Sequence, residues 1–386
     1  MKSLLETIAG ELNARERIRN FASKNSAFTI NPNDFDKLRY GELPLGHIIS
    51  RNGFGSIRLI RGLDTDLIYI LGMPGQGKTN LLTLLCSCAM SLNDKNIIIS
   101  RKGWEFSPLL RMRTDFYDLK PSDFPLNPFV KPIKELSQKE WNQRVAQTIS
   151  SEGFMLYASG TNFEKILDTF TEKYPHSIIT PSKLINLIDQ RKSYRLIQVD
   201  EKVKNRLETL TVGEAKQVFD TNEVIDFGFY ANSNLSFDLA SFSGNQVSYF
   251  IAILLQMLVT WKLHHRTNYF HNIILDDFSD LVNDERDSGA RMNEIAKLIT
   301  VYGRKLKISL WIVAQSAFNT SKYVLDNSTT IIRFKTGAIS DKVMEPVLRL
   351  NEKEQHIIEK CPRGFCVVLR KMVLNRPVLV AVPFFP

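Results

Sequence analysis

The chain has 386 residues, 44% of them hydrophobic, and a formal net charge of +9 at pH 7. That length and composition supply one large or two modest domains with a real core, and exclude a chain too small or too polar to build one. The basic balance suits a polyanionic partner.

Residues 1 to about 23 read as a helix, with apolar positions at Leu4, Leu5, Ile8, Leu12 and Ile18. The N-terminus turns charged by Glu6, so no signal peptide is expected. A Pro/Gly-marked connection follows, "INPNDFDKLRYGELPLGH", and then two short strands, "SIRLI" and "LIYIL". After the second comes a glycine-rich turn and an apolar helix over roughly Thr79 to Met90. "NIIIS" and "TDFYDL" read as further strands of a buried sheet. From about Lys131 to Asp226 the chain becomes polar, with helical periodicity in "FEKILDTFTEKY", "PSKLINLIDQRK" and "VKNRLETLTVGEAKQVF". Strands return at "LSFDL", "NIILDD", "ISLWIVAQ", "TIIRFK", "GFCVVLR" and "VLVAV". The layout is an α/β sheet interrupted by a helical insertion at about 131–226. Residues 1–60 form an N-terminal helix and connecting segment, and 61–386 the core. The longest apolar run, "VSYFIAILLQMLVTWKL", holds Ser248 and Gln256 and ends in Lys262. It reads as too short and too polar for a membrane span, so a soluble, cytoplasmic protein with no transmembrane segment is expected. Cys86 and Cys88 share the helix after the glycine-rich turn, and Cys361 and Cys366 bracket the turn "CPRGFC". Zinc would want better spacing and nearby histidines, so these read as free thiols in a reducing compartment.

The turn itself carries the chemistry. Gly72-x-x-x-x-Gly77-Lys78-Thr79 has the spacing of a phosphate-binding loop, lying between an apolar strand and an apolar helix. Glycine lets successive backbone N–H groups face inward as a nest for phosphate oxygens. Lys78 is expected to reach the β- and γ-phosphates and the Thr79 hydroxyl to sit on Mg²⁺, with the helix N-terminus adding its dipole. The nucleotide-binding segment is Gly72, Pro74, Gly75, Gln76, Gly77, Lys78, Thr79 and Asn80. ATP with Mg²⁺ is the expected ligand, since no Asn-Lys-x-Asp guanine-reading segment lies on a suitable strand end.

The complementary group should be a strand ending in carboxylate, and "HNIILDDFSDL" supplies it at Asp276 and Asp277. Asp276 is expected to hold the Mg²⁺ hydration shell beside Thr79, and Asp277 to polarise the attacking water. A third apolar strand, "KISLWIVAQS", ends in Gln315, a candidate for touching both γ-phosphate and water. Arg101, Lys102, Arg111 and Arg113 form a basic cluster that reads either as a nucleic-acid contact or as a solvated face. No nuclease constellation stands out.

The order of phosphate loop, helical insertion, "FDLASF", a long apolar helix, "ILDD", "GRK" and a strand ending in glutamine resembles the HerA–FtsK superfamily of P-loop motor ATPases. It looks most like HerA-like translocases and the ATPases of conjugation and type IV secretion. "RKGWEFSPLLR" followed by "LNPF" is similar to the secretion branch, and "TTIIRFKTG", "VLRLNEKEQHIIEKCPRGFCVVLR" and "PVLVAV" are similar to the family's closing sheet. The resemblance covers roughly residues 45 to 386. It implies a RecA-like core with a mostly parallel central sheet and a short N-terminal extension, assembled as a homo-hexameric ring with nucleic acid threaded through the pore. It also implies that Gln315 acts as a sensor and that Arg304, in "GRK", is an arginine acting across the subunit interface. Two departures stand out: the second carboxylate, usually Glu, is Asp277, a pairing similar to some viral packaging members, and the N-terminal region is shorter than in the secretion ATPases. The function this implies is ATP hydrolysis coupled to translocation of double-stranded DNA, a helicase-like motor serving a separate nuclease or processing partner. A mobile-element or viral motor that transfers or packages DNA, and a nucleotide-binding switch or scaffold, are the other readings.

Overall fold

A computed structural model describes residues 28, 32–50, 53–102, 114–153, 155, 157–191, 197–278, 302–318 and 320–384. The helix expected over residues 1–23, and Arg111 and Arg113, lie outside the described residues. The chain divides into two compact units: one reaches Leu92 and resumes at Ser309, and the other runs from Asn93 to Ile308.

Among its described residues the first unit opens with a helix, Pro32–Arg39, and the strands β1 (Leu43–Ser50), β2 (Gly53–Leu59) and β3 (Leu67–Leu71). The second carries β4 (Lys95–Ser100), β5 (Phe116–Leu119), β6 (Asn234–Asp238) and β7 (His271–Asp276). The chain then completes the first with β8 (Ile308–Ala314), β9 (Thr330–Arg333), β10 (Phe365–Arg370) and β11 (Val378–Ala381).

In the first unit the strands run in the order β2-β1-β11-β10-β9-β3-β8. β3 pairs in parallel with β8 and β9, so Ile70 faces both Val313 and Ile332. Every residue of β3, β8 and β9 is buried, which is why these segments read as unbroken apolar runs and not as alternation. Beyond β9 the pairings of β10, β11, β1 and β2 are antiparallel. In the second unit the order is β7-β4-β6-β5, all parallel, with Ser100 opposite both Asp276 and Asp238. This is the α/β architecture with a parallel core that the sequence pattern implies.

The helical insertion lies within the second unit. It holds the helices Gln138–Glu152, Tyr157–Lys173, Pro181–Asp189 and Ile197–Thr209, followed by shorter ones. Buried Asn127 ties its ends together, donating to Ile179 O at 2.8 Å and Thr221 O at 2.7 Å. Three local expectations are corrected. "LPLGHIIS" is the strand β1 and not part of a connection, and "PNDFDKLR" before it is helical. The segment "VKNRLETLTVGEAKQVF" is two helices, because Gly213 at φ 64 turns the chain between them. The apolar run forms the helix Gly244–His264, capped by Ser243 and Gln246. It is long and apolar enough to cross a membrane, but 83% of its most apolar window is buried inside the protein.

Candidate nucleotide site

The phosphate loop belongs to the first unit and is fixed by backbone contacts at both ends. Where β3 finishes, Gly72 N–H donates to Ala314 O at 3.2 Å and Met73 N–H to Lys335 O at 2.9 Å. The loop thus leaves the sheet pinned to the ends of β8 and β9. Further on, Gly364 N–H donates to Gln76 O at 3.0 Å, and Asn80 Nδ2 donates to Pro383 O at 2.9 Å.

Its three glycines are needed for different reasons. A Cβ on Gly72 would stand 2.6 Å from Phe334 Cβ, so here the constraint is close approach. Gly75 at φ 75 and Gly77 at φ 109 adopt backbone that L-residues avoid. Gly77 is the N-cap of the helix Lys78–Ser91, and no side chain caps that helix. Its first N–H groups lack the Ser, Thr or Asp oxygen that usually meets them, which suits an anion. Lys78 is buried and folds back over the loop, donating to Gly72 O and, at 3.0 Å, to Met73 O. Its ammonium therefore lies over the Gly72–Met73 end of the nest. Thr79 and Asn80 are half-buried, and Pro74 and Gly75 are exposed. Gln315, half-buried, directly follows the Ala314 whose carbonyl holds Gly72, so the sheet brings it beside the start of the loop.

The carboxylates belong to the second unit. β7 is wholly buried, and Asp276 at its end is 4% exposed. Asp277 takes φ 62, a left-handed conformation that Asp tolerates better than most residues. That turn sends its side chain away from the strand line, where Lys102 Nζ meets Oδ2 at 3.1 Å. The register explains the meeting: Ser100 ends β4 opposite Asp276, and Lys102 follows two residues later, its N–H bonded to Ser100 Oγ at 3.1 Å. Two adjacent aspartates thus have unlike surroundings, one enclosed and one ion-paired at a half-open position.

Arg304 is exposed on a helical turn before β8, and its carbonyl accepts from Lys307 N–H at 3.4 Å. Lys307 O in turn accepts from His271 N–H at 2.9 Å, which puts this turn at the start of β7 while Asp276 ends it. At about 3.3 Å per residue the strand separates the two by roughly 16 Å.

Sequence reading missed the groups that brace the loop: Phe334 and Lys335 after β9, and Gly364 before β10. Gly364 at φ 88, within "CPRGFC", was the one legible signal. The cysteines flanking it are free and buried, as are the others except half-buried Cys88. Burial pushes the Cys361 thiol up to about 12. Among the described residues no cluster of His, Cys, Asp or Glu could hold a metal ion. A hydroxyl such as that of Thr79 and a carboxylate such as that of Asp276 are each hard oxygen donors of the kind that Mg²⁺ takes. A groove of about 850 Å³ in the second unit, lined by Trp261 stacked on His265, contains none of these groups.

No protein-family model matches the chain, and no curated protein matches it in sequence. Solved structures do. VirB4 of Thermoanaerobacter pseudethanolicus is 16% identical with a TM-score of 0.66, covering 90% of this chain and 97% of VirB4. The plasmid coupling protein TrwB, solved with a non-hydrolysable ATP analogue, is 13% identical with a TM-score of 0.64, covering 92% and 93%. TrwB in complex with ADP and Mg²⁺ superposes with a TM-score of 0.63 at the same identity and coverage. Over nine-tenths of its length this chain has the RecA-like P-loop fold that VirB4 and TrwB share.

Proposed function

We propose that this chain is an ATP-hydrolysing, ring-forming motor that moves double-stranded DNA. The observation that carries the reading is the phosphate loop: an uncapped helix N-terminus, two left-handed glycines and a lysine folded over the nest. In this reading Gly72, Pro74, Gly75, Gln76, Gly77, Lys78, Thr79 and Asn80 bind ATP. Thr79 and Asp276 hold Mg²⁺, which neutralises charge developing on the phosphates. Asp277 positions the attacking water, and for that Lys102 must release it. Gln315 senses the γ-phosphate. Arg304, exposed and far along β7 from Asp276, is suited to serve the site of a neighbouring copy.

A second reading is supported by the solved neighbours: TrwB is a conjugative coupling protein, so the same motor could work in DNA transfer between cells. The two readings share the site and differ in the partner, a nuclease or processing enzyme in one case and a membrane-bound transfer apparatus in the other.

The test is ATP turnover measured alone and with duplex DNA, single-stranded DNA and RNA, at low and moderate salt. Duplex should stimulate most, and its affinity should fall steeply with salt, as phosphate contacts require. Lys78→Ala should abolish turnover while the protein stays folded. Arg304→Ala should bind ATP and assemble but hydrolyse poorly, and mixing it with Lys78→Ala should restore some turnover. Full turnover by the Lys78→Ala protein would sink the site, and a fully active monomer would sink the ring.

A further inference from the structure

The loop has two unlike ends. At one, Lys78 Nζ reaches Gly72 O and Met73 O, and Gln315 follows the strand that holds Gly72. At the other, the β10–β11 hairpin is tied across the segment from Gln76 to Asn80. Three bonds make that tie: Gly364 N–H to Gln76 O at 3.0 Å, Val382 N–H to Gly364 O at 2.9 Å, and Asn80 Nδ2 to Pro383 O at 2.9 Å. The lysine of a phosphate loop serves the β- and γ-phosphates, while backbone N–H groups cradle the α and β. The γ-phosphate therefore belongs at the Gly72 end, and the nucleoside leaves the nest at the Asn80 end. The residue next to the strapped Pro383 is Phe384, which is 81% exposed. Burying an aromatic ring is favourable, so an exposed one next along the chain from that strap is available for stacking.

We propose that Phe384 is a stacking platform for the nucleobase of the bound nucleotide. The inference rests on the phosphate-loop reading above and adds the base subsite to it. The strap from Asn80 to Pro383 fixes the platform to the first turn of the loop's own helix. Phosphate grip and base contact are thereby mechanically linked. A ring face offers no hydrogen-bond pattern, and every base has a π-face, so this subsite adds affinity without choosing between adenine and guanine.

Binding of ATP, GTP and inorganic tripolyphosphate to the full chain, as parent and as Phe384→Ala, tests this directly. The expected result is a loss of about tenfold for ATP and GTP alike, with tripolyphosphate affinity unchanged. Phe384→Trp should keep parental ATP affinity, and ATP but not tripolyphosphate should quench the added indole fluorescence. Unchanged ATP affinity in Phe384→Ala overturns the platform, as does an equal loss for ATP and tripolyphosphate. If the parent binds none of the three, the phosphate-loop reading fails and the platform with it.

Discussion

The first unit buries its arginines against carboxylates, and the second buries a lysine and a histidine against backbone carbonyls. Arg370, fully enclosed, meets equally enclosed Asp64 at 2.6 Å, and Arg333 is held by Asp341, Gln355 and Thr336. In the second unit Lys262 donates to Lys307 O at 3.0 Å and Tyr269 O at 3.2 Å. His271 Nε2 bonds Ala231 O at 2.7 Å. A carboxylate partner offsets the cost of burying a cation, whereas a carbonyl offsets only part of it. Hence burial, with Lys307 adding repulsion, pushes Lys262 down to about 7, and burial pushes His271 well below its usual value. The phosphate loop, built from backbone, sits in the unit whose fully buried arginines are paired with carboxylates. Asp276 and Asp277 sit in the unit whose buried lysine and histidine are pushed down toward or below neutrality.

The sharpest way to break that division is Asp276→Asn. If the first unit grips nucleotide and the second drives hydrolysis, turnover should fall on the order of 10²- to 10³-fold. ATP affinity should stay within a few-fold of the parent. Lys78→Ala should lose both. An Asp276→Asn protein that loses binding as completely as turnover would show that the two sets of residues do not divide the work.

A smaller effect concerns pH. Lys262 titrates near 7 when folded and near 10.5 when unfolded, so between those values only the unfolded chain holds the proton. Stability should therefore rise with pH above 7, by about 1.4 kcal/mol per unit from this group. His271 acts lower, its cost growing as pH falls below about 6.5. The buried thiols Cys86, Cys361 and Cys366, pushed up by burial, act in the opposite sense above about 9. Between about pH 7 and 8.5 the lysine stands alone among these groups, and the gain should approach 2 kcal/mol. Around Lys262 stand Lys307 and Asp94, with the Tyr269 ring 5.6 Å away. Urea denaturation of the parent and of Lys262→Met across that window is the measurement. A parent as flat as the variant would remove this contrast between the units.

How much of this was legible follows from how local each feature is. The phosphate loop could be read because left-handed turns and an uncapped helix start are written in eight consecutive residues. The unbroken strands β3, β7 and β8 could be read because strands buried on both faces leave no alternation to mask them. β1 was hidden by Pro44 and Gly46. A bulge lies between these two, and a Cβ on Gly46 would come within 2.3 Å of Ala381 O, so glycine there marks the approach of β11 and not a turn. The helix Gln138–Glu152 was hidden by its polar surface. Its Ser137 cap and the buried series Trp141, Val145, Ile149 were nevertheless on display. What could not be read is the unlike treatment of Asp276 and Asp277. It depends on the left-handed turn at Asp277 and on Lys102, brought from far upstream by the pairing of β4 with β7. Phe334 was equally invisible, and the turn glycine Gly364 could be seen but not its contact with the loop, since both contacts exist only once the sheet has ordered its strands.

The finest distinctions should come from the loop glycines, and their order tests whether the phosphate loop of the first unit is truly a backbone device. Gly72→Ala forces a new carbon to within 2.6 Å of Phe334 Cβ, so strand ends must shift, at about 1–3 kcal/mol. Because the clash is with the Cβ and not the ring, adding Phe334→Leu should bring no relief. Gly77→Ala meets nothing closer than Gly364 Cα at 3.5 Å, so its cost is conformational. At φ 109 it lies at the far edge of the left-handed region, where a residue with a Cβ is strained, and about 2 kcal/mol is expected. Gly75→Ala finds nothing within 4 Å, and its φ of 75 lies near the left-handed well, so about 1 kcal/mol should suffice. Gly72→Ala should appear mainly as a lowered melting temperature, because it disturbs the packing where β3 and β9 end. The other two should appear mainly as weaker ATP binding, by up to about thirtyfold for Gly77→Ala and up to about fivefold for Gly75→Ala. If Gly75→Ala proves the most damaging of the three, the loop's geometry is set by something other than the strand ends and glycine torsions that hold it here.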